Sequence, residues 1–415
     1  MNRRFSFTGF LITCILYLGC GTAVSQITQK TGNIAAVDSL ILSEVKTGNI
    51  PGAVIRIQRG DSILHREAYG YAQKYSYGVK PLKEPESMTI EHLFDLASLT
   101  KVCATTFGIM LLADNGKLHL DDAIYKWLPE FNIGEKRKIT VRHLLSHSSG
   151  LRQWYPLYYK ASNKKERYKV IAGMPLKWEV GKARHYSDLG FMLLGDIIER
   201  ASGQSMDVFL RENLYQPLNL THTFFNPLDK GIQKIAATSH GNPFEKQMVY
   251  DDSFGYRVNV DPASWNGWRH YTLRGEVSDG NAWYANNGVA GHAGLFSTVD
   301  DLQKLVNLLL NGGSYKDKQV ISESVIDTFL TKDKHGNALG WAMDLNFISA
   351  EGAPAGTFGH TGFTGTSIVV MPEYDLSVIL LTNRENSGRQ ENSYYYDLGP
   401  LRQSIVDAVL ALNLK

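Results

Sequence analysis

Strand-like segments joined by tight turns occur only towards the two ends of this chain. Ala53 to Arg59 and Ser62 to Tyr69 are apolar-rich and flank Gly60-Asp61, a two-residue hairpin turn. Residues 366–371 and 376–382 flank Pro372-Glu373-Tyr374-Asp375, a second turn. Further strands are expected at 295–298, 339–346 and 356–361, and helices at 34–48, 300–311 and 398–412. The middle reads differently, with helical runs at 98–113, 141–147 and 189–201 separated by long polar and aromatic loops. Hairpins at both ends around a helical middle predict an α+β chain, an α/β sandwich. One antiparallel sheet would be built from both termini, covered by helices, with a helical lobe inserted. The expected division is 26–95 with 286–415 for the sheet lobe and 96–285 for the helical lobe.

The first residues read as a leader. Arg3 and Arg4 precede an apolar run from Phe5 to about Gly19, and Ala23-Val24-Ser25 fits a signal-peptidase site. Residues 1–25 are therefore expected to be a signal peptide, which makes the mature chain secreted, periplasmic or extracellular. Leu18-Gly19-Cys20 leaves a lipoprotein anchored through Cys20 as the alternative. No later stretch is long and apolar enough to span a membrane. Of three cysteines only Cys103 lies beyond the leader; it reads as a small buried hydrophobe. Forty-three basic against forty-one acidic side chains give a net charge of +2, which supplies no electrostatic reason to expect nucleic acid.

The chain has no G-x-S-x-G elbow, Walker A loop or G-x-G-x-x-G fingerprint. His143 and His147 stand four apart without the glutamate of H-E-x-x-H, so they read as structural and no metal is expected. No organic cofactor is expected either. Ser-x-x-Lys occurs three times, as Ser43/Lys46, Ser98/Lys101 and Ser162/Lys165. The first lies on the solvated face of an amphipathic helix and the third in a polar run read as a surface loop. Ser98 follows Leu93, Phe94, Leu96 and Ala97 and opens a strongly apolar helix. Residues three apart share a helix face, so the Lys101 amine can reach the Ser98 hydroxyl. A partly desolvated lysine can have a lowered pKa and act as a base, and the helix N-terminus favours an oxyanion at Ser98. A capping serine beside a snorkelling lysine fits these residues equally well. Two further segments favour chemistry: Tyr186-Ser187-Asp188 just before an apolar helix, and the Gly/Thr-rich strand Gly359-His360-Thr361-Gly362-Phe363.

Taken in order, these segments resemble the serine beta-lactamase and penicillin-binding protein superfamily. The likeness is to its class C, esterase and D-aminopeptidase-like branch and to penicillin-binding protein 4B-type hydrolases. Ser98-Leu99-Thr100-Lys101 is similar to the first motif, Tyr186-Ser187-Asp188 to Tyr-x-Asn, and His360-Thr361-Gly362 to Lys-Thr-Gly. The resemblance implies a beta-lactamase/transpeptidase-like fold and a Ser98 acyl-enzyme, with Lys101 and Tyr186 handling the proton. The Ser98 and Phe363 N–H groups would hold the oxyanion, and Thr361, Gly362, His360 and Asp188 would line the substrate cleft. The expected substrate is a D-amino-acid peptide, of the cell-wall kind that a D-Ala-D-Ala carboxypeptidase takes, or a small ester. A non-catalytic penicillin-binding sensor and a weak class C-type beta-lactamase are the alternatives. Two departures bear on the choice. An ionised Asp188 accepts where asparagine donates, and it can pair with Lys101 and hold that amine protonated. His360 lacks the fixed charge of a lysine.

Among Trp154, Tyr155, Tyr158, Tyr159, Trp265, Trp268, Tyr271, Trp283 and Tyr284, most are expected to pack loops, with one or two at the cleft mouth. His292 reads as a turn histidine with satisfied hydrogen bonds.

Overall fold

The computed structural model describes residues 20–343 and 352–412, with side chains from residue 34 onward. Residues 1–19 of the expected leader and the Cys20 side chain lie outside the described residues.

The two terminal hairpins meet in one antiparallel sheet. Its order is Lys80–Ser87, Ser62–Ser76, Gly52–Arg59, Leu376–Thr382, Thr366–Met371 and Phe358–Thr361. The junction pairs Ala53 with Thr382 and Arg59 with Leu376. Both central strands are buried on both faces, so they read as near-continuous apolar runs. Alternate residues part between two cores. Ile55, Ile57, Val369 and Leu380 pack with Val37, Ile41, Leu401 and Ile405 of the helices Cys20–Thr47 and Gly399–Leu410. Val54, Ile368, Ile379 and Leu381 face a larger core that continues into the helical middle. A one-residue slip would exchange the two faces.

Several boundaries differ from the sequence reading. The second strand runs to Ser76, and Lys80–Ser87 adds an edge strand. That strand carries Pro81, Lys83, Glu84 and Pro85, which solvent and a free edge permit but which hide any alternation. Leu295–Ser297 joins Phe94–Asp95 and Phe224–Phe225 in a separate three-stranded sheet. Of the strand expected at 339–346, residues 344–346 lie outside the described residues; the remainder supplies one bridge, Ala342 to Gly359. The polar run after Ser162 is not all loop: Asn163 caps a helix over Lys164–Gly173 by accepting from the Glu166 N–H.

Candidate active site

Ser98 sits in a turn that the chain fixes from several sides. Ala97 has φ +44°, a left-handed conformation that costs energy for a residue with a Cβ. The Ala97 N–H donates to Asp95 Oδ1 at 2.9 Å, and the Ser278 N–H donates to the other oxygen at 2.6 Å. Thr364 and Thr366 donate to the carbonyls of Asp95 and Leu96 at 2.6 and 3.1 Å. Gly362 is required here: a Cβ would lie 2.3 Å from the Leu96 carbonyl oxygen and 2.1 Å from Thr366 Oγ1. The strand edge carrying His360, Thr361 and Phe363 is thereby laid against the serine turn. Beyond Ser98 the chain is helical. Lys101–Thr105 forms a π turn that leads into Thr106–Asp114, one local feature of the kind that recurs at functional sites.

Lys101 is fully buried. Its Nζ donates to Ser98 Oγ at 2.9 Å and to the His292 carbonyl at 3.2 Å, and lies 2.7 Å from Asp188 Oδ1. The His292 loop reaches this point because Gly291 packs on the helix Asp188–Ser202, where a Cβ would fall 2.0 Å from the Phe191 carbonyl oxygen. The two influences on Lys101 that the sequence offers, burial and pairing with Asp188, act in opposite senses here. Burial alone would lower the lysine pKa, but the Asp188 carboxylate and the Tyr186 oxygen outweigh burial and hold the ammonium well above its ordinary value.

Tyr186 ends the loop before Ser187, which caps its helix by accepting from the Gly190 N–H. Burial raises the Tyr186 pKa against the pull of Lys101 and the smaller pull of Ser98, both of which its hydroxyl faces. His147 packs on the phenol at 4.4 Å between ring centroids, and its Nδ1 accepts from the Ser187 N–H at 3.0 Å. The ring thus positions the tyrosine loop. His143 instead completes a helix cap with Thr140.

His360 lies 6.0 Å from Tyr186 by ring centroids. Its Nδ1 donates to the Thr361 carbonyl at 2.8 Å, which leaves Nε2 as an acceptor. Burial, reinforced by Lys101, pushes its pKa down to about 3. The ring is neutral throughout the physiological range.

Ser98, Tyr186, Asp188 and Phe363 open onto one cavity of about 500 Å³, within the range of ligand pockets. Neither the Ser98 nor the Phe363 N–H donates to a backbone acceptor among the described residues. His360, Thr361 and Gly362 do not line this cavity, although the His360 ring neighbours Tyr186, which does. Of the nine loop aromatics from Trp154 to Tyr284 named in the sequence analysis, only Trp154 lines the cavity. Tyr158, Tyr159, Trp265, Trp268 and Tyr284 instead pack against one another in tilted and edge-to-face pairs. Sequence reasoning missed the carboxyls Glu245, Asp279 and Glu385 that also line it, because no local pattern marks them. His292 Nε2 meets Asp279 at 2.9 Å, but its Nδ1 is buried without a partner, so the expected turn histidine with satisfied hydrogen bonds is met at one nitrogen and not at the other. The other Ser-x-x-Lys pairs are on the surface, with Ser43, Lys46, Ser162 and Lys165 all outside the buried core.

Comparison with known proteins decides what kind of arrangement this is. The family model described as Beta-lactamase matches residues 37–399. The chain belongs to the beta-lactamase family. It is 34% identical over 380 residues to an N-acetylmuramyl-L-alanine amidase of Bacillus subtilis (strain 168), covering 86% of this chain and 82% of the relative. It is 36% identical over 392 residues to a provisionally named D-alanyl-D-alanine carboxypeptidase of Escherichia coli (strain K12), covering 88% and 86%. Among solved structures, EstCE1, described as a hydrolase with promiscuous acyltransferase activity, superposes with a TM-score of 0.66 at 20% identity, over 93% and 99% of the two chains. A class C beta-lactamase does so with a TM-score of 0.66 at 19% identity, over 92% and 98%. The six-stranded sheet and its covering helices are thus the beta-lactamase/transpeptidase-like fold, and the protein is a hydrolase of that family.

Proposed function

We propose that the protein hydrolyses an amide bond of a peptidoglycan-derived peptide through an acyl-enzyme on Ser98. The observation that carries this reading is the 2.9 Å contact from Lys101 Nζ to Ser98 Oγ at the wall of a cavity. A serine hydroxyl is a poor nucleophile until its proton has somewhere to go. Here the hydroxyl meets both an amine and a phenol. Ser98 Oγ bonds to the substrate carbonyl carbon as its proton passes to Tyr186 or Lys101 and one of theirs moves on to the Asp188 carboxylate, the member of the group that begins without a proton. The carbonyl oxygen takes up the negative charge between the N–H groups of Ser98 and Phe363. Collapse breaks the amide C–N bond, and the proton is delivered to the leaving amine. Water then enters by the same route, giving up a proton as it bonds to the acyl carbon and releasing Ser98 with the proton restored.

D-amino-acid peptides and small esters fit this chemistry, and the carboxypeptidase-named relative supports the peptide. A second reading, cleavage next to an N-acetylmuramyl group, is favoured by one observation. The neutral His360 offers no fixed cation to a terminal carboxylate. The same neutrality, with Asp188 in place of an amide donor, argues for slow beta-lactam turnover. We place the activity outside the cytoplasm on the strength of the leader-like residues 1–25, with attachment through Cys20 as the alternative.

The test is to treat the protein and its Ser98→Ala variant with a fluorophosphonate, a fluorescent penicillin, a p-nitrophenyl ester, a D-Ala-D-Ala peptide and N-acetylmuramyl-L-alanine. Adduct mass and product release are followed. Turnover that disappears in Ser98→Ala is expected. Equal turnover by the two proteins refutes the reading, and a stable adduct without release would make the protein a sensor.

A further inference from the structure

Apart from Asp188, whose Oδ1 is ion-paired with Lys101, two side chains of the cavity wall each keep a buried polar atom without a hydrogen-bond partner among the described residues, His292 at Nδ1 and Glu385 at Oε1, and of the two only Glu385 is a carboxyl. Glu385 is 1% exposed and lines the same cavity as Ser98. Its Oε2 accepts from Ser278 Oγ at 3.1 Å, while Oε1 is buried without a hydrogen-bond partner. Leaving such an oxygen unsatisfied costs about 1–3 kcal/mol. The other carboxyls of the wall are occupied. Asp188 is paired with Lys101 at 2.7 Å, Asp279 with His292 at 2.9 Å, and Glu245 accepts from the Gly280 N–H at 2.9 Å. Flat apolar rings line the cavity with Glu385. Phe244 and Phe363 lie 4.9 Å apart by centroids, and Trp154 and Tyr256 lie 5.6 Å apart.

We propose that Glu385 and these ring pairs form a saccharide subsite, which receives an N-acylated amino-sugar ring of the substrate and hydrogen-bonds it through Glu385 Oε1. A pyranose has that double character, with C–H faces that pack on aromatic rings and an equator of hydroxyl and amide groups that both donate and accept. The proposal rests on the hydrolase reading of the same cavity and narrows its substrate to a sugar-bearing amide. An ammonium group is the competing occupant. It calls for an ionised carboxylate, whereas burial, with Asp95 adding to it and Arg384 opposing, pushes the Glu385 carboxyl up to about 8. The acid form that prevails at neutral pH both donates and accepts, as a hydroxyl or acetamido partner requires.

Binding to the Ser98→Ala protein, measured by calorimetry, tests this without relying on turnover. The probes are N-acetylmuramyl-L-alanine, N-acetyl-L-alanine and N-acetyl-L-alanyl-L-lysine amide. The sugar-bearing probe is expected to bind about tenfold or more tightly than N-acetyl-L-alanine, the equivalent of one to two good hydrogen bonds. Adding Glu385→Gln should keep its affinity within roughly threefold, because the amide still donates and accepts. Adding Glu385→Leu should cost about tenfold, with thermal melting as the check on folding. Equal affinity for the first two probes overturns the proposal, and so does a folded Glu385→Leu variant that binds the sugar normally. Preference for the lysine probe, lost in Glu385→Gln, would make the subsite an ammonium site instead. If Glu385→Leu does not fold, the probe comparison and Glu385→Gln still decide. Fluorophosphonate labelling of Ser98 in the parent protein reports separately on the hydrolase reading.

Discussion

Replacing Asp188 by asparagine removes the charge that holds Lys101 protonated. The carboxylate oxygen lies 2.7 Å from Nζ, and the amine is fully buried. Unit charges about 4 Å apart attract by roughly 4 kcal/mol at an effective dielectric of about 20. At about 1.4 kcal/mol per factor of ten, losing that attraction moves the proton equilibrium of the amine by roughly a thousandfold. Water and the new amide take back part of this, so the expectation is about a tenfold or greater rise in acylation rate at neutral pH. The ascending limb of the kcat/KM profile should also move to lower pH. The amide nitrogen that Asp188→Asn introduces adds to the effect, since it can donate to a substrate carbonyl. Stability should move the other way. Breaking a buried pair costs about 3–5 kcal/mol. In the parent the Lys101 pKa is raised above its unfolded value, so the pair's contribution is complete below about pH 10. In the variant burial is the largest influence left on the amine. The unfolded chain then binds the extra proton, and stability rises with pH towards that same value. The assays are burst acylation by a fluorescent penicillin and by a p-nitrophenyl ester from about pH 5 to 10, a range that brackets the ordinary lysine value, with melting curves at each pH. Superimposable profiles and equal melting temperatures would refute the claim that Asp188 governs the Lys101 proton.

Three other outcomes follow from the same geometry. His360→Gln should leave the shape of the kcat/KM profile between about pH 5 and 8 unchanged, because the parent ring is already neutral with its pKa down at about 3; a lost limb in that window would contradict this. The same variant should be less sensitive to acid, because a depressed histidine pKa makes stability fall as pH drops from the unfolded value of about 6.5 towards the folded one; the difference between parent and variant melting temperatures from about pH 7 to 4 reads it. Gly362→Ala forces a Cβ to within 2.3 Å of the Leu96 carbonyl oxygen, and overpacking of this kind costs about 1–3 kcal/mol. It should lower the melting temperature and slow Ser98 acylation together, and normal acylation would mean that the strand edge does not set the serine turn.

The sequence made some of this arrangement legible and left the rest hidden for physical reasons. Local patterns carry the hairpins: Gly60-Asp61 and Pro372–Asp375 are turns by residue type, and the apolar runs beside them do the rest. Ser98 and Lys101 were legible because a helix brings residues three apart to one face. The edge strand Lys80–Ser87 was not, since an exposed edge imposes no alternation. The raised proton affinity of Lys101 was half legible. Burial and the nearby Asp188 push it in opposite directions, and only the 2.7 Å separation decides between them. Glu385, Glu245 and Asp279 carried no signal at all. They come from three distant segments, and a carboxyl that ends on a cavity wall looks in sequence like one on the surface.

That distance also constrains the chemistry. Ser98, Tyr186, Lys101 and Asp188 form one connected group in which the ammonium and the carboxylate cancel. With Lys101 held protonated and the Tyr186 pKa raised by burial, neither group is a strong base at rest. A nucleophilic Ser98 therefore needs a proton to move within the group as substrate binds, and Asp188 is the one member that begins without one. An asparagine there cannot take that proton, but it frees the lysine to serve directly. The two residues thus define two ways of supplying a base to the same serine. They predict opposite responses to burial: expelling water strengthens the Lys101–Asp188 attraction in the parent, whereas in Asp188→Asn it drives the lysine towards its neutral form. A bulky, water-excluding substrate should therefore gain more from the substitution than a small ester. A gain that is the same for both substrates would show that the carboxylate acts on substrate binding rather than on the proton.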